Sequence, residues 1–202
     1  MQWNKLLYIL LFILLMTTCG SVPEIHYYRI DSTSETLAIE NPKFNVILGI
    51  EKFEPEQLYE SDRIVYRESP YEVKFYNYHR WITPPAEIVT EKAIEKIAAS
   101  GLFRRVVSFP HISNVDYLID GTIKAFEELD ENDEWYGLVR LKIEFIEMKN
   151  NTILWQDIVT KKTKARAKKP VELVRAIDMS LTECIHSIIP HLEQELGNAL
   201  IY

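Results

Sequence analysis

Two charge clusters are the first residues whose types and spacing could do chemistry. Glu127 to Glu134 (EELDENDE) puts six acids in eight positions, and Lys161 to Lys169 (KKTKARAKK) puts six bases in nine. Carboxylates at that density could hold a cation, with Asp130, Asn132 and Glu134 as the oxygen donors. The run lacks the glycine that a calcium loop needs for its sharp turn, so no metal site is read from it. The bases could meet acidic lipid headgroups or an acidic partner protein. They could also simply neutralise the acids beside them, where each exposed pair contributes 0 to about 1 kcal/mol. Lys161, Lys162, Lys164 and Arg166 are the candidate partner contacts of this run.

The two cysteines have different surroundings. Cys19 follows an apolar run in a way that resembles a bacterial lipobox, which implies lipid attachment there, the other readings being an uncleaved anchor or ordinary cleavage nearby. Cys184 falls on a helical apolar stripe and reads as a small buried hydrophobe. Two cysteines exclude a disulfide-rich scaffold and a zinc site built on cysteines. No GxSxG elbow, glycine-rich phosphate loop or HExxH pair occurs. The five histidines offer no i, i+4 ligand pair. Acids packed into a charged loop are read as solvated rather than tuned. The expectation is therefore a protein that is not an enzyme, with no catalytic residues and no cofactor.

Aromatic side chains concentrate between Tyr66 and Trp81. On a strand over 73–81, alternation puts Val73, Phe75 and Trp81 on one face and Tyr76 and Tyr78 on the other. One face is core. The other is either neighbour packing or a surface for a partner or apolar ligand, because tyrosine gives contact area at low entropic cost.

The elements that must position these residues follow an address segment. Lys5 and the uncharged run Leu6 to Met16 have the layout of a secretory signal peptide over residues 1–18, too short to span a bilayer comfortably. Residues 19–25 read as a tether and 26–202 as one domain. The full chain of 202 residues carries a net charge of -7, or -8 without the leader's single Lys5. An acidic chain argues against a nucleic-acid binder. His26 to Asp31, Phe44 to Phe53, Arg63 to Glu68 and Val73 to Trp81 read as strands, the last two as a hairpin around Ser69-Pro70. Ser32 to Pro42 reads as loop. Thr83 is placed to cap a helix with Pro84 in its first turn and Gly101 at its end. Arg104 to Phe109 is the next strand.

Tyr117 to Phe126, Trp135 to Met148 and Ile153 to Thr163 read as a three-stranded meander, its second turn at Asn150-Asn151. That register places Trp135 opposite Arg166 and both charge clusters at one end. A long helix over 171–200 carries Val174, Ile177, Leu181, Cys184, Ile188, Leu192 and Leu196 as one stripe, with Pro190 inside it. The fold class is α/β, or α+β-like: a single compact domain with a mixed, mostly antiparallel sheet, one mid-chain helix and a long C-terminal helix.

In order, the chain shows a lipobox-like Cys19, His26-Tyr27-Tyr28-Arg29-Ile30, Asp62-Arg63-Ile64-Val65-Tyr66-Arg67 and His79-Arg80-Trp81. Pro84-Pro85 and a helix ending in Gly101-Leu102-Phe103 follow, then Asp116 to Gly121, then Trp155 before the last helix. This set resembles the ABC-type transport auxiliary lipoproteins, the PqiC/YmbA-like family, over nearly the whole chain after the leader. The resemblance implies an outer-membrane lipoprotein facing the periplasm, held by acyl chains on Cys19. Its implied partners are MCE-domain proteins or ABC transporter components that move lipids or other apolar molecules across the envelope, with homo-oligomers possible in the family. Thr18 and Met16 depart from the usual lipobox residues. The other reading kept open is an envelope-integrity or outer-membrane assembly lipoprotein that binds a β-barrel.

Overall fold

The computed structural model describes residues 23–30, 41–112 and 114–199. The signal peptide, Cys19 and most of the 32–42 loop lie outside the described residues. Within them the strands are β1 (His26–Tyr28), β2 (Phe44–Ile50), β3 (Glu54–Pro55), β4 (Arg63–Arg67) and β5 (Lys74–Trp81). They continue as β6 (Phe103–Ser108), β7 (Tyr117–Glu131), β8 (Glu134–Glu147) and β9 (Thr152–Lys164). Helix α1 is Pro85–Ala99 and α2 is Pro170–Ala199.

The long strand β7 is the spine of a single mixed sheet. Along one side it pairs in parallel with β2 at Tyr117–Ile119, then β3 at Thr122–Ile123, then β4 at Glu127–Leu129. Its other side pairs with β8 throughout, and β8 pairs with β9, both antiparallel. β6 lies parallel beside β2, and β1 lies parallel beside β5, outside β4. The longest ladders are antiparallel as expected, but several short parallel pairings share β7. Their partners are brought back by connections too irregular for the sequence pattern to reveal.

Helix α2 lays its stripe across β8 and β9. Val174, Ile177, Leu181, Cys184, Ile188, Leu192 and Leu196 are buried, as their spacing predicts, and Leu173 joins them. Each such aliphatic side chain contributes about 1.5–3 kcal/mol by leaving water. Gly137 lets the helix approach: a Cβ there would lie 2.3 Å from the Ile177 backbone nitrogen. The Cys184 thiol is buried, contacts the Val139 carbonyl at 3.7 Å and is pushed up to about 12 by burial.

Four local expectations are corrected. Thr83 does not cap α1; Pro84 is the N-cap residue, and its carbonyl accepts from the Glu87 and Ile88 amides. The acidic stretch is not a loop. β7 runs to Glu131, and only Asn132 and Asp133 turn, both with positive φ (52° and 61°), which matches a type I′ hairpin.

The β8–β9 turn spans four residues, 148–151, with Asn151 at φ 52°. A bulge at Leu154 follows, so Ala165 and not Arg166 bonds to the Trp135 carbonyl. On β5 an irregularity opposite Arg63–Val65 breaks the alternation. Trp81 is buried against Phe126 and Phe75 is half-buried at the edge of the core beneath the Arg63 guanidinium, whereas Val73 is exposed.

Candidate functional site

The charged end of the meander is built by register. The type I′ turn and the last residues of β9 lie side by side, so strand alternation brings acids and bases into contact. Lys162 pairs with Glu131, Lys164 with Glu134 at 3.0 Å, and Lys168 with Asp133. Lys162 also lies over the Tyr136 ring, 4.6 Å from its centre. Lys161 is out of phase with these. It is half-buried, opposite Val139, and its charge sits near the Cys184 thiol. Arg166 is exposed and lines a shallow groove of about 380 Å³ with Lys164, Glu172, Arg175, Asp178 and Met179. The four basic candidates thus divide: Lys162, Lys164 and Arg166 face solvent, and Lys161 supports the helix contact.

Two acids of the same stretch are buried, against the expectation of solvated carboxylates. Glu127 and Glu128 are 0% and 1% exposed and point to opposite faces of β7, as consecutive strand residues must. Glu127 accepts from Arg67 Nη2 at 2.6 and 2.7 Å and from the Tyr59 hydroxyl at 2.6 Å. This is a charge-assisted cluster on one face of the sheet. Burial, then the Glu127 hydrogen bond, raises the Tyr59 hydroxyl, and the same carboxylate raises Arg67. A cleft of about 670 Å³ opens above it, with Leu58, Val73, Lys124 and Arg140 among its walls.

On the other face Glu128 accepts from the Tyr76 hydroxyl at 2.8 Å, and its second oxygen has no hydrogen-bond partner. Burial pushes its carboxyl up to about 8. Burial raises Asp130 as well.

The two candidate tyrosines separate. Tyr76 is half-buried, with its ring 4.9 Å from Tyr66 and its hydroxyl committed to Glu128. Tyr78 is exposed. Next to it His79 stacks on His26 at 5.3 Å, and Tyr28 Oη lies 2.9 Å from its Nδ1. Burial, with His26 adding, pulls His79 below the usual imidazole range.

Sequence reasoning missed two buried acids with their partners, Glu127 with Arg67 and Tyr59 on one face and Glu128 with Tyr76 on the other. No periodic signal announces them, since Ala125 to Glu128 are buried in succession beside a register shift at Ile123–Ala125. Among the described residues no group of three or more His, Cys, Asp or Glu is arranged to hold a metal ion. No helix among them is long and apolar enough to cross a membrane.

A single mixed sheet with a mid-chain α1 and one long α2 defines a mixed α/β domain. Comparison with known proteins names the family. The chain belongs to the ABC-type transport auxiliary lipoprotein components, whose family profile matches residues 30–188. The fold is that of protein XCC0632 from Xanthomonas campestris (TM-score 0.73, 14% identity, 88% of this chain and 99% of that one). It is also that of an uncharacterized protein of known structure (TM-score 0.67, 13% identity, 84% and 99%). Protein CT253 from Chlamydia trachomatis is similar at a TM-score of 0.51 and 5% identity, over 74% and 96% of the two chains. No curated protein matches the sequence.

Proposed function

We propose that this chain is a non-enzymatic lipoprotein, acylated at Cys19 and held on the periplasmic face of the outer membrane. There it docks a transport assembly that moves lipids or other apolar molecules across the envelope. Its partners are an MCE-domain protein or an ABC transporter component, and several copies act together. The observation that carries the reading is the family match over 30–188, joined to an apolar leader that ends at Cys19. Anchoring by several acyl chains is favourable because each buried CH2 contributes about 0.8 kcal/mol.

The docking surface we assign is the charged end of the meander, through Lys162, Lys164, Arg166 and the groove they edge, with Lys161 behind it. Mixed-charge rims of this kind set register and specificity more than raw affinity.

Two measurements test the proposal. Cys19→Ala should abolish incorporation of labelled palmitate; undiminished labelling removes the anchor. The acylated chain, used as bait in detergent-solubilised envelope, should recover an MCE-type or transporter component; recovery of barrel-assembly proteins instead would replace the transport role.

A further inference from the structure

The edge strand β1 and its neighbour β5 carry large apolar side chains that are exposed among the described residues. β1 pairs with β5 in the register His26–His79, Tyr27–Arg80 and Tyr28–Trp81, and the Ile82 amide extends the ladder by donating to the Tyr28 carbonyl at 2.8 Å. One face of this ladder turns toward the core at its Trp81 end: exposed His26 stacks on half-buried His79, Tyr28 meets His79, and buried Trp81 packs on Phe126. Alternation sends the intervening residues outward. Ile25, Tyr27, Tyr78 and Ile82 are 42%, 58%, 44% and 62% exposed. Arg80 lies between Tyr78 and Ile82 on that outer face, its charge held by Asp62 at 3.2 Å.

Four large exposed side chains on one short ladder need an occupant. The chain itself indicates which. Ile25 follows Cys19 by six residues, a tether that reaches at most about 20 Å when fully extended. Whatever surface holds Cys19 is therefore within reach of this face. Tyrosine is enriched where a bilayer meets water, because its ring is apolar and its hydroxyl polar. Isoleucine side chains add apolar area that can enter the headgroup boundary.

We infer that the outer face of the β1–β5 ladder lies against the lipid bilayer, with Tyr27, Tyr78 and Ile82 at the headgroup level. The inference rests on the acylation of Cys19 proposed above. It fixes the orientation of the domain: one sheet edge faces lipid, and β9, at the far end of the β5–β4–β7–β8 order, faces away. The charged end of the meander is then presented to a partner and not to headgroups.

The test uses the full acylated chain carrying Tyr27→Cys, Tyr78→Cys or, as reference, Gln156→Cys on exposed β9, each labelled with an environment-sensitive fluorophore. Cys184 is buried and does not compete for label. The proteins are placed in phosphatidylethanolamine–phosphatidylglycerol vesicles that contain a lipid-borne nitroxide quencher. Quenching at positions 27 and 78 should exceed that at 156 by about twofold or more, as for side chains at the interface. Equal quenching at all three, in protein that floats with the vesicles, overturns this orientation and leaves the anchor standing. It would mean that a second copy, a protein partner or the chain's own segment covers the face. Protein that does not float overturns the anchor and this inference together. Unchanged melting temperatures show that the labelled variants are folded.

Discussion

Single residues decide more here through burial than through exposure. Arg67 and Glu127 form a pair whose acid is fully buried while the arginine side chain stays 24% exposed. Removing one partner strands the other, so Glu127→Ala should cost about 2–4 kcal/mol, somewhat below the full penalty for a wholly buried pair. Arg67→Met with Glu127→Leu should recover most of that loss in urea unfolding; a double variant as weak as the single would refute the pairing argument.

Glu128 makes a different prediction. Its folded-state value of about 8 lies above the usual 4.5, so the folded chain keeps a proton that the unfolded chain has lost. Its own contribution to stability should be greatest below pH 4.5, fall as pH rises to about 8, and level off above it. One such group contributes a limiting slope of about 1.4 kcal/mol per pH unit. Glu128→Gln should flatten that window in denaturation curves taken across it; an unchanged slope would assign the pH dependence elsewhere. The ordered residues that carried the family resemblance also have structural jobs. Arg67 holds Glu127, Arg80 holds Asp62, and Asp116 accepts the Ile47 amide at 2.7 Å.

The decisive contact between elements is α2 on β8. Backbone meets backbone at Gly137, where a Cβ would lie 2.3 Å from the Ile177 nitrogen and 2.5 Å from the Ala176 carbonyl carbon. Neither atom can move without lifting the helix. Gly137→Ala should therefore destabilise by about 1–3 kcal/mol, the usual range for overpacking, and Gly137→Val by more, read as a lowered melting temperature. A neutral Gly137→Ala would show that the helix slides freely over the sheet. The turns were only partly legible. Asn132-Asp133 is a good type I′ pair, yet a charged run hides it. Asn151 turns, but the four-residue connection and the bulge at Leu154 shift β9 by one residue against the simplest register.

At the scale of the molecule, the net charge of -7 says little about any one surface. Acids and bases from stretches about thirty residues apart in sequence neutralise one another at the meander end through Glu131, Asp133 and Glu134 with Lys162, Lys164 and Lys168. These pairs are exposed and contribute little to stability. Charge reversal as Lys161→Glu, Lys162→Glu and Lys164→Glu should cut recovery of the partner from solubilised envelope, more strongly at low salt. The loss in stability should stay small and come mostly from half-buried Lys161. Association that is intact after reversal would move the contact away from this end.

The sequence by itself determined the elements and much of their pairing. Apolar residues at helical spacing specify α2 and strict alternation specifies β8, because each signal is local and periodic. Only the tertiary structure decided which polar residues are buried. Glu127 and Glu128 look like their solvated neighbours in a charged run. They are desolvated because β4, β5 and the turn at Gln57–Tyr59 fold back against β7 and supply Arg67, Tyr76 and Tyr59. Burial depends on what arrives from elsewhere in the chain, and no local pattern records that arrival.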